Sequence, residues 1–440
     1  MAESERGMER KLRKLISLAH IVAREPRRAS EALDAARDLY RSLPRQGQAA
    51  FHRRLLDAFS VPRENLLGTL RNAVDRLERG EKTSAVLGDL GPFLRSPLTG
   101  LFERIADLPG GLPLLMGLRA DLLAGQRGGE TGTAPLERAI ASLLNEWFRH
   151  GFLVLREITP ESPYRLIRYL KERELVHPMV SLEEMGQRLG KDRRCFGLFH
   201  CAMPDVPVVF IEVALTAGIP RSIHEIIEGD DDRAGRSPDT AVFYSINNTQ
   251  NGLAGLGLGK VLVFRVTEAL REEHKELGAF VTLSPIPGFW PRYLRPILKG
   301  DTDFNLGQQD VEALFTGKRS PRLLDTAARF LGHRPQTIVE ALLEIFERPD
   351  WIDDAILPGL LRRPLVEIAH HYLTREHDPH GRPLNPVAGF HLGNGATVTR
   401  RTIHFAANRT PRGLAESCGL MVSYVYSERW YRGLRRSLGI

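Results

Sequence analysis

Thr240-Ala-Val-Phe-Tyr-Ser-Ile-Asn-Asn-Thr-Gln-Asn-Gly-Leu-Ala-Gly-Leu-Gly-Leu-Gly-Lys260 is the stretch that decides the fold. Thr240 to Ile246 is rich in β-branched and aromatic residues and reads as a strand. Gly252, Gly255, Gly257 and Gly259 then crowd a turn that opens the helical pattern of Leu258 to His274. Ala279 to Leu283 follows as another strand, and Val206 to Thr216 precedes the set as a buried one. Strand, strand, glycine loop, helix, strand is an α/β arrangement. The glycines have two readings. At a strand-to-helix turn, backbone N–H groups and the helix N-terminus can receive a pyrophosphate; equally, glycines there can serve only the turn. No Gly-Lys-Ser/Thr follows at Walker spacing. Nor is this a clean dinucleotide fingerprint, because it sits on the second or third strand.

Upstream the pattern is helical. Met8 to Ala23, Ser30 to Leu43, Phe51 to Phe59, Glu64 to Arg79, Pro113 to Leu123 and Leu136 to His150 place apolar residues three and four apart. Ser30 reads as an N-cap, and Gly125 to Pro135 is the most linker-like stretch. After Phe152 the period changes. Downstream, Asp310 to Phe315, Ser320 to Leu331, Thr337 to Phe346 and Leu361 to Leu373 return to helix. Ala396 to Phe405 and Gly419 to Tyr426 read as closing strands. The expected organisation is a helical assembly domain over residues 1–150 and a catalytic α/β domain over 151–440, hence α+β overall. With 440 residues the chain exceeds one ordinary core.

Composition excludes several classes. No apolar run approaches the roughly 18–20 residues of a membrane helix. The first residues, Met1-Ala-Glu-Ser-Glu-Arg-Gly, carry acids and no apolar core, so the expected location is cytoplasmic. Cys195, Cys201 and Cys418 form no Cys-x-x-Cys and read as free thiols. The net charge of +7 points to an anionic partner. Arg and Glu are interleaved through the first eighty residues and no basic block with aromatics occurs, so nucleic acid is not the expected one. A phosphorylated small molecule is.

Two single residues stand out. Ser284 ends the third strand before Pro285-Ile-Pro287-Gly288, where prolines fix the direction of its hydroxyl. It lacks the Gly-x-Ser-x-Gly setting of an acylated nucleophile, and capping the turn is its plain alternative. His391 precedes Leu392-Gly-Asn-Gly395, a tight-turn signal, and can polarise a carbonyl or pass a proton, or simply be a satisfied structural histidine. His370, His371, Glu376, His377, Asp378 and His380 imitate a metal site. Their spacing fits no His-Glu-x-x-His motif, so no metal is expected.

Taken in order, these segments resemble the malonyl-CoA decarboxylase family over roughly residues 150 to 430. The resemblance is carried by His177-Pro178, Arg193-Arg-Cys-Phe196, Val213-Ala-Leu-Thr216, Tyr244-Ser-Ile-Asn-Asn-Thr-Gln-Asn-Gly-Leu253 and Leu283-Ser-Pro-Ile-Pro-Gly-Phe289. It continues in Leu384-Asn-Pro-Val-Ala388, Phe390-His-Leu-Gly-Asn-Gly-Ala396, Arg412-Gly-Leu414 and Ser417-Cys-Gly-Leu-Met421. It implies a catalytic domain of the GNAT acetyltransferase type, malonyl-CoA as substrate, acetyl-CoA and CO2 as products, and no metal, biotin or other prosthetic group. It implies a helical N-terminal domain that assembles tetramers. It places Ser284 and His391 at the catalytic positions, Tyr426 at the reaction centre, and Ala254, Gly255, Leu256, Gly257, Leu258, Gly259 and Lys260 at the CoA pyrophosphate loop. Two departures are local. Gly257 stands where some relatives carry a glutamate, and His404-Phe-Ala-Ala-Asn408 replaces Asn-Trp-Met-Ala-Asp after a small insertion. An acyltransferase of the same fold, or a CoA-binding assembly protein, is the competing expectation.

Overall fold

The computed structural model describes residues 2–94, 96–179, 181–190, 192–227, 237–315, 317, 319–379, 381–393, 395–426 and 431–432. The first compact unit comprises Met1–Val154 with Phe199–Val208 and Asn248–Leu258; the second comprises Leu155–Leu198, Val209–Asn247 and Gly259–Ile440. Two segments that follow residue 150 in sequence therefore pack with the helices.

The first unit is built on α1 (Ala2–Arg24), α2 (Ala29–Arg41), α3 (Arg45–Ala58), α4 (Arg63–Glu78), α5 (Thr83–Leu94), α6 (Pro97–Ala106), α7 (Gly111–Arg127) and α8 (Ala134–Trp147). Leu15, Val22, Leu55, Leu101, Phe102, Leu115 and Leu122 bury the shared apolar stripe. The helical reading of this half holds, with two corrections. Ser30 is not the N-cap: that position is taken two residues earlier by Arg28, because the turn after Pro26 already feeds the helix through Ala32 N–H to the Arg28 carbonyl at 3.0 Å. Helices α5 and α6 were not expected from the sequence. Their short apolar runs, Val86-Leu-Gly-Asp-Leu and Leu98-Thr-Gly-Leu-Phe, carry glycines that weaken the periodic signal. Helix α4 leaves Leu66, Leu67, Leu70, Val74 and Leu77 exposed at 37 to 53%.

A seven-stranded mixed sheet runs β1 (Leu153–Ile158), β2 (Arg193–His200), β3 (Met203–Thr216), β4 (Thr240–Asn248), β5 (Ala279–Pro285), β7 (Met421–Tyr426), β6 (Ile403–His404) in spatial order. Strands β4 and β5 are parallel and are joined by α12 (Leu258–Glu273), as a parallel pair requires. Between the strands come α9 (Tyr164–Arg173), α10 (Leu182–Gln187) and α11 (Ile223–Ile227). After β5 come α13 (Arg295–Leu298), α14 (Gln308–Ala313), α15 (Arg319–Leu331), α16 (Ile338–Glu347), α17 (Leu357–Thr374), α18 (Pro386–Gly393) and α19 (Pro411–Ser417). One face of β5 sends Val281 and Leu283 into a core with Val242, Tyr244, Ile223, Ile226 and Met421.

The closing strand expected over Ala396 to Phe405 is a correction. Only Ile403–His404 pairs with β7, and Thr397 makes a single bridge to Val425. Thr399 and Thr402 hydrogen-bond each other locally, Thr399 N–H to Thr402 Oγ1 at 3.0 Å and Thr402 Oγ1–H to the Thr399 carbonyl at 3.0 Å. These bonds fold a 3-10 turn into the run and compete with the ladder. No helix among the described residues is long and apolar enough to cross a membrane.

Candidate active site

Strands β5 and β7 pair antiparallel, with Ser284 opposite Val422, Thr282 opposite Tyr424 and Phe280 opposite Tyr426. Opposed residues share a face, so Ser284, Thr282, Tyr424 and Tyr426 all point away from the Val281–Leu283 core. Ser284 lies one diagonal step from Tyr424, about 7–8 Å along the sheet. Helix α12 covers this face through Arg271, whose guanidinium sits 5.1 Å above the Phe280 ring. Ser284 is 6% exposed.

His391 reaches the same face from α18. It occupies the last turn of that helix and, as the sequence suggests, precedes a turn: Gly395 N–H donates to the Leu392 carbonyl at 2.9 Å, while Asn394 lies outside the described residues. The reason for the helix is Asn385. Its Oδ1 accepts from Ala388 N–H at 2.9 Å, capping a helix that Pro386 opens. The Asn385 amide also donates to the Pro287 carbonyl at 3.1 Å, and the Tyr372 hydroxyl donates to the same oxygen at 3.3 Å. The loop after Ser284 and the helix bearing His391 are thus tied at one carbonyl. Sequence reasoning gave Asn385 and Tyr372 no role, although Asn-Pro before an apolar run is a helix-start signal.

The imidazole is buried and stacks on Tyr424, ring centroids 4.2 Å apart at 23°. Its Nδ1 lies 2.5 Å from the Tyr426 hydroxyl. Burial pushes the His391 pKa down to about 3, so the ring is neutral near pH 7. Burial raises the Tyr426 pKa, an effect the Thr282 hydroxyl partly offsets, and burial raises that of Tyr424 as well. Both phenols are protonated. The Tyr424 hydroxyl is buried and has no hydrogen-bond partner among the described residues. Tyr424 was not singled out from the sequence, because an aromatic in a strand reads first as core.

The glycine stretch divides. In the first unit, Gly252 packs so tightly on α7 that a Cβ there would strike the Met116 carbonyl and come within 2.8 Å of Met116 Cα. Arg119, also on α7, donates to the Gly252 carbonyl at 2.6 Å and the Ala254 carbonyl at 2.9 Å, and is held by Glu137 of α8 at 2.9 Å. Gly255 and Gly257 adopt left-handed backbone, φ +81° and +73°, that a side chain would strain. Ala254, Gly255 and Gly257 are exposed and Leu256 half-buried, ahead of buried Leu258. In the second unit, Gly259 lies in the first turn of α12 beside exposed Lys260; a methyl on it would touch Ile246 and Phe390 at 4.0 Å. Phe390 in turn packs edge-on to His391 at 5.0 Å. The structure therefore joins His391 to Tyr426, places Ser284 on the same sheet face four residues along the ladder from Tyr426, and sets the start of α12 against the residue preceding His391.

Other motif residues meet at a buried carboxylate. Glu174 accepts from the backbone N–H groups of Val176 and His177 and from the side chains of Ser245 and Asn247 at 2.6 to 2.8 Å, which ties the Ser245/Asn247 end of β4 to the segment after α9. In the histidine-rich segment the Glu376 carboxylate is engaged by neighbouring protein groups. Glu376 accepts from Tyr293 Oη–H at 2.9 Å, Asn305 N–H at 3.1 Å and Leu306 N–H at 3.2 Å, and His380 lies outside the described residues. No group of three or more potential metal ligands occurs among the described residues.

Comparison with known proteins converges on one family. Residues 151–430 match the model of the malonyl-CoA decarboxylase C-terminal domain, and residues 68–148 that of the N-terminal domain. The mitochondrial malonyl-CoA decarboxylase of Rattus norvegicus is 36% identical over 365 residues, covering 80% of this chain and 70% of that protein. The mitochondrial enzyme of Anser anser anser is 33% identical over 384 residues, covering 86% and 70%. Crystal structures of malonyl-CoA decarboxylase from Agrobacterium vitis and Rhodopseudomonas palustris superpose with TM-scores of 0.77 and 0.76, each at 29% identity. They cover 96% and 97% of this chain and 95% and 96% of theirs. The chain belongs to the malonyl-CoA decarboxylase family of enzymes.

Proposed function

We propose that the protein converts malonyl-CoA to acetyl-CoA and CO2 through an enolate held by Ser284 and His391. Loss of CO2 from a β-carbonyl acid breaks one C–C bond and sends its electron pair onto the thioester oxygen. The substrate is its own electron sink, so we read the reaction as needing no metal, biotin or other prosthetic group. What it needs is a carboxylate turned out of the thioester plane, exclusion of water, and a donor for the developing oxyanion. The observation that carries this reading is the buried pair of His391 Nδ1 and Tyr426 Oη on the face that also bears Ser284.

With Tyr426 a protonated phenol and His391 neutral, we assign the phenol as donor to Nδ1 and the imidazole proton to Nε2. A neutral Nε2–H is a good partner for an enolate oxygen, and it is our candidate proton source for the nascent methyl group. Ser284 fixes the malonyl headgroup by hydrogen bonding. Ala254 to Lys260 form the CoA pyrophosphate loop. Exposed backbone at Gly255 and Gly257, ahead of the α12 N-terminus, supports this assignment. A GNAT-type reading of residues 151–440 is supported by the parallel β4–β5 pair bridged by α12. We also propose a homotetramer assembled through the helical region of residues 1–150.

Release of acetyl-CoA and CO2 from malonyl-CoA with no acceptor present tests the activity; a requirement for an acceptor would make the protein an acyltransferase. Methylmalonyl-CoA is the informative control, since one methyl changes pocket fit by only ~1–3 kcal/mol. Ser284→Ala and His391→Gln are each expected to lower kcat by about 10²–10³. Near-normal turnover in both would remove these residues from the mechanism.

A further inference from the structure

The second unit carries a groove of about 470 Å3 that shares no lining residue with the Ser284–His391 face. Five arginines converge on it from three separate segments. Arg362 and Arg363 come from α17, Arg400 and Arg401 from the 3-10 turn before β6, and Arg221 from the loop entering α11. The start of α11 is held to the segment after β6 by Ile223 N–H donating to the Ala407 carbonyl at 3.1 Å.

Among the described residues the charge is not balanced from within. Glu367 is the one carboxylate lining the groove, and Arg400 Nε already holds it at 2.5 Å. Among the described residues no ion pair is recorded for the side chains of Arg221, Arg362, Arg363 or Arg401. Burial, and secondarily the charge of Arg221, lower the His404 pKa to about 4, so His404 lines the groove as a neutral donor or acceptor. Its Nε2 is 2.9 Å from Ser423 Oγ. The remaining wall is apolar, formed by Val366, Ile403 and Phe405.

Four guanidiniums with no ion-pair partner among the described residues, set around one concavity, repel each other and gain from an anion placed between them. Guanidinium forks fit phosphate oxygens in bidentate fashion, which a dispersed surface charge does not demand. The volume lies within the roughly 300–1,000 Å3 of small-molecule sites. We propose that this groove binds a small molecule carrying at least two phosphate groups, its body lying against the Phe405 wall. Nucleoside polyphosphates and inorganic polyphosphate share that chemistry. The inference does not depend on which residues perform the decarboxylation.

Titration calorimetry of the full chain at about 150 mM salt, where diffuse surface attraction is screened beyond ~8 Å, tests it with ATP and inorganic tripolyphosphate as probes. Saturable one-to-one binding is expected. A base that reads the apolar wall makes ATP the tighter ligand, and phosphate-only recognition makes the two equal. R362A/R363A/R401A is expected to weaken binding at least tenfold while leaving kcat and KM for malonyl-CoA unchanged, and R401K to weaken it less, because it keeps the charge but loses the fork. The proposal is overturned if neither probe binds saturably, or if the triple variant binds like the parent protein. It is also overturned if citrate of similar charge binds as tightly as tripolyphosphate. Equally fatal is displacement of the probe by malonyl-CoA together with a raised KM in the triple variant, which would make the groove part of the substrate site.

Discussion

His391 is a neutral imidazole set between two phenols, and that environment dictates how its activity depends on pH. A histidine with an ordinary pKa near 6.5 would give an enzyme that gains or loses activity around neutrality as the ring titrates. Here burial lowers the value to about 3, so the ring holds one proton from pH 5 upward and the protonation state of His391 stays constant. The expected kcat/KM profile shows no inflection near pH 6.5. A rising limb centred there, absent in His391→Gln, would contradict the neutral-donor assignment. Tyr426→Phe keeps the ring size and removes the hydroxyl 2.5 Å from Nδ1. Loss of a buried hydrogen bond costs about 1–3 kcal/mol, or roughly 5- to 150-fold in kcat, with KM little changed. A merely structural role for Tyr426 would lower thermal stability and leave kcat per folded molecule intact.

At the scale of elements, the contact between α7 and the glycine loop is the feature with the clearest consequence. Two backbone carbonyls of the loop are gripped by Arg119, and Gly252 lets the chain lie directly on Met116. Gly252→Ala forces backbone against backbone, at a cost of about 1–3 kcal/mol or more. Arg119→Met removes both grips and frees Glu137. If Ala254 to Lys260 hold the CoA pyrophosphate, Arg119→Met raises KM for malonyl-CoA at least several-fold and leaves kcat close to the parent value. A fall in kcat at constant KM would detach Arg119 from substrate binding. The helical region would then bear on substrate binding as well as on the proposed assembly, which its sequence did not reveal. Arg119 sits in Gly-Leu-Arg-Ala-Asp, an unremarkable helical run, and its partners are 133 and 135 residues away. Local pattern did reveal β3, β4, α12 and β5, because their apolar periodicity is long and bounded by glycine or proline. It missed β1 and β2, where Arg156, Glu157, Arg193 and Arg194 interrupt the alternation. It misread the run before β6, where paired threonines fold a turn. Ser284 and His391 stood out as single residues and Tyr426 only through the family resemblance; the Tyr424 stack and the Asn385 tie were not legible, because both arise from tertiary approach.

For the whole molecule, α4 bears most directly on how many chains act together. Leu66, Leu70, Val74 and Leu77 recur at four, four and three residues, within an arc of about 80°, and Leu67 widens it to about 100°. In this sixteen-residue helix only Ala73 is buried. An amphipathic helix that leaves its apolar stripe half in water is at odds with a core-facing role. A helix of that length spans about 24 Å, and a stable interface buries about 1,200–2,000 Å2 in total, so α4 would have to be one part of a larger contact. Self-association through this stripe also meets repulsion between chains that each carry +7. The proposed assembly should therefore strengthen as salt screens that charge. Light scattering at micromolar concentration is expected to give four chain masses for the parent protein and a smaller species for Leu70→Lys/Val74→Lys, with the parent more fully assembled at high salt than at low. A parent protein that is monomeric throughout would end the tetramer proposal. A double variant that stays tetrameric would move the interface off α4.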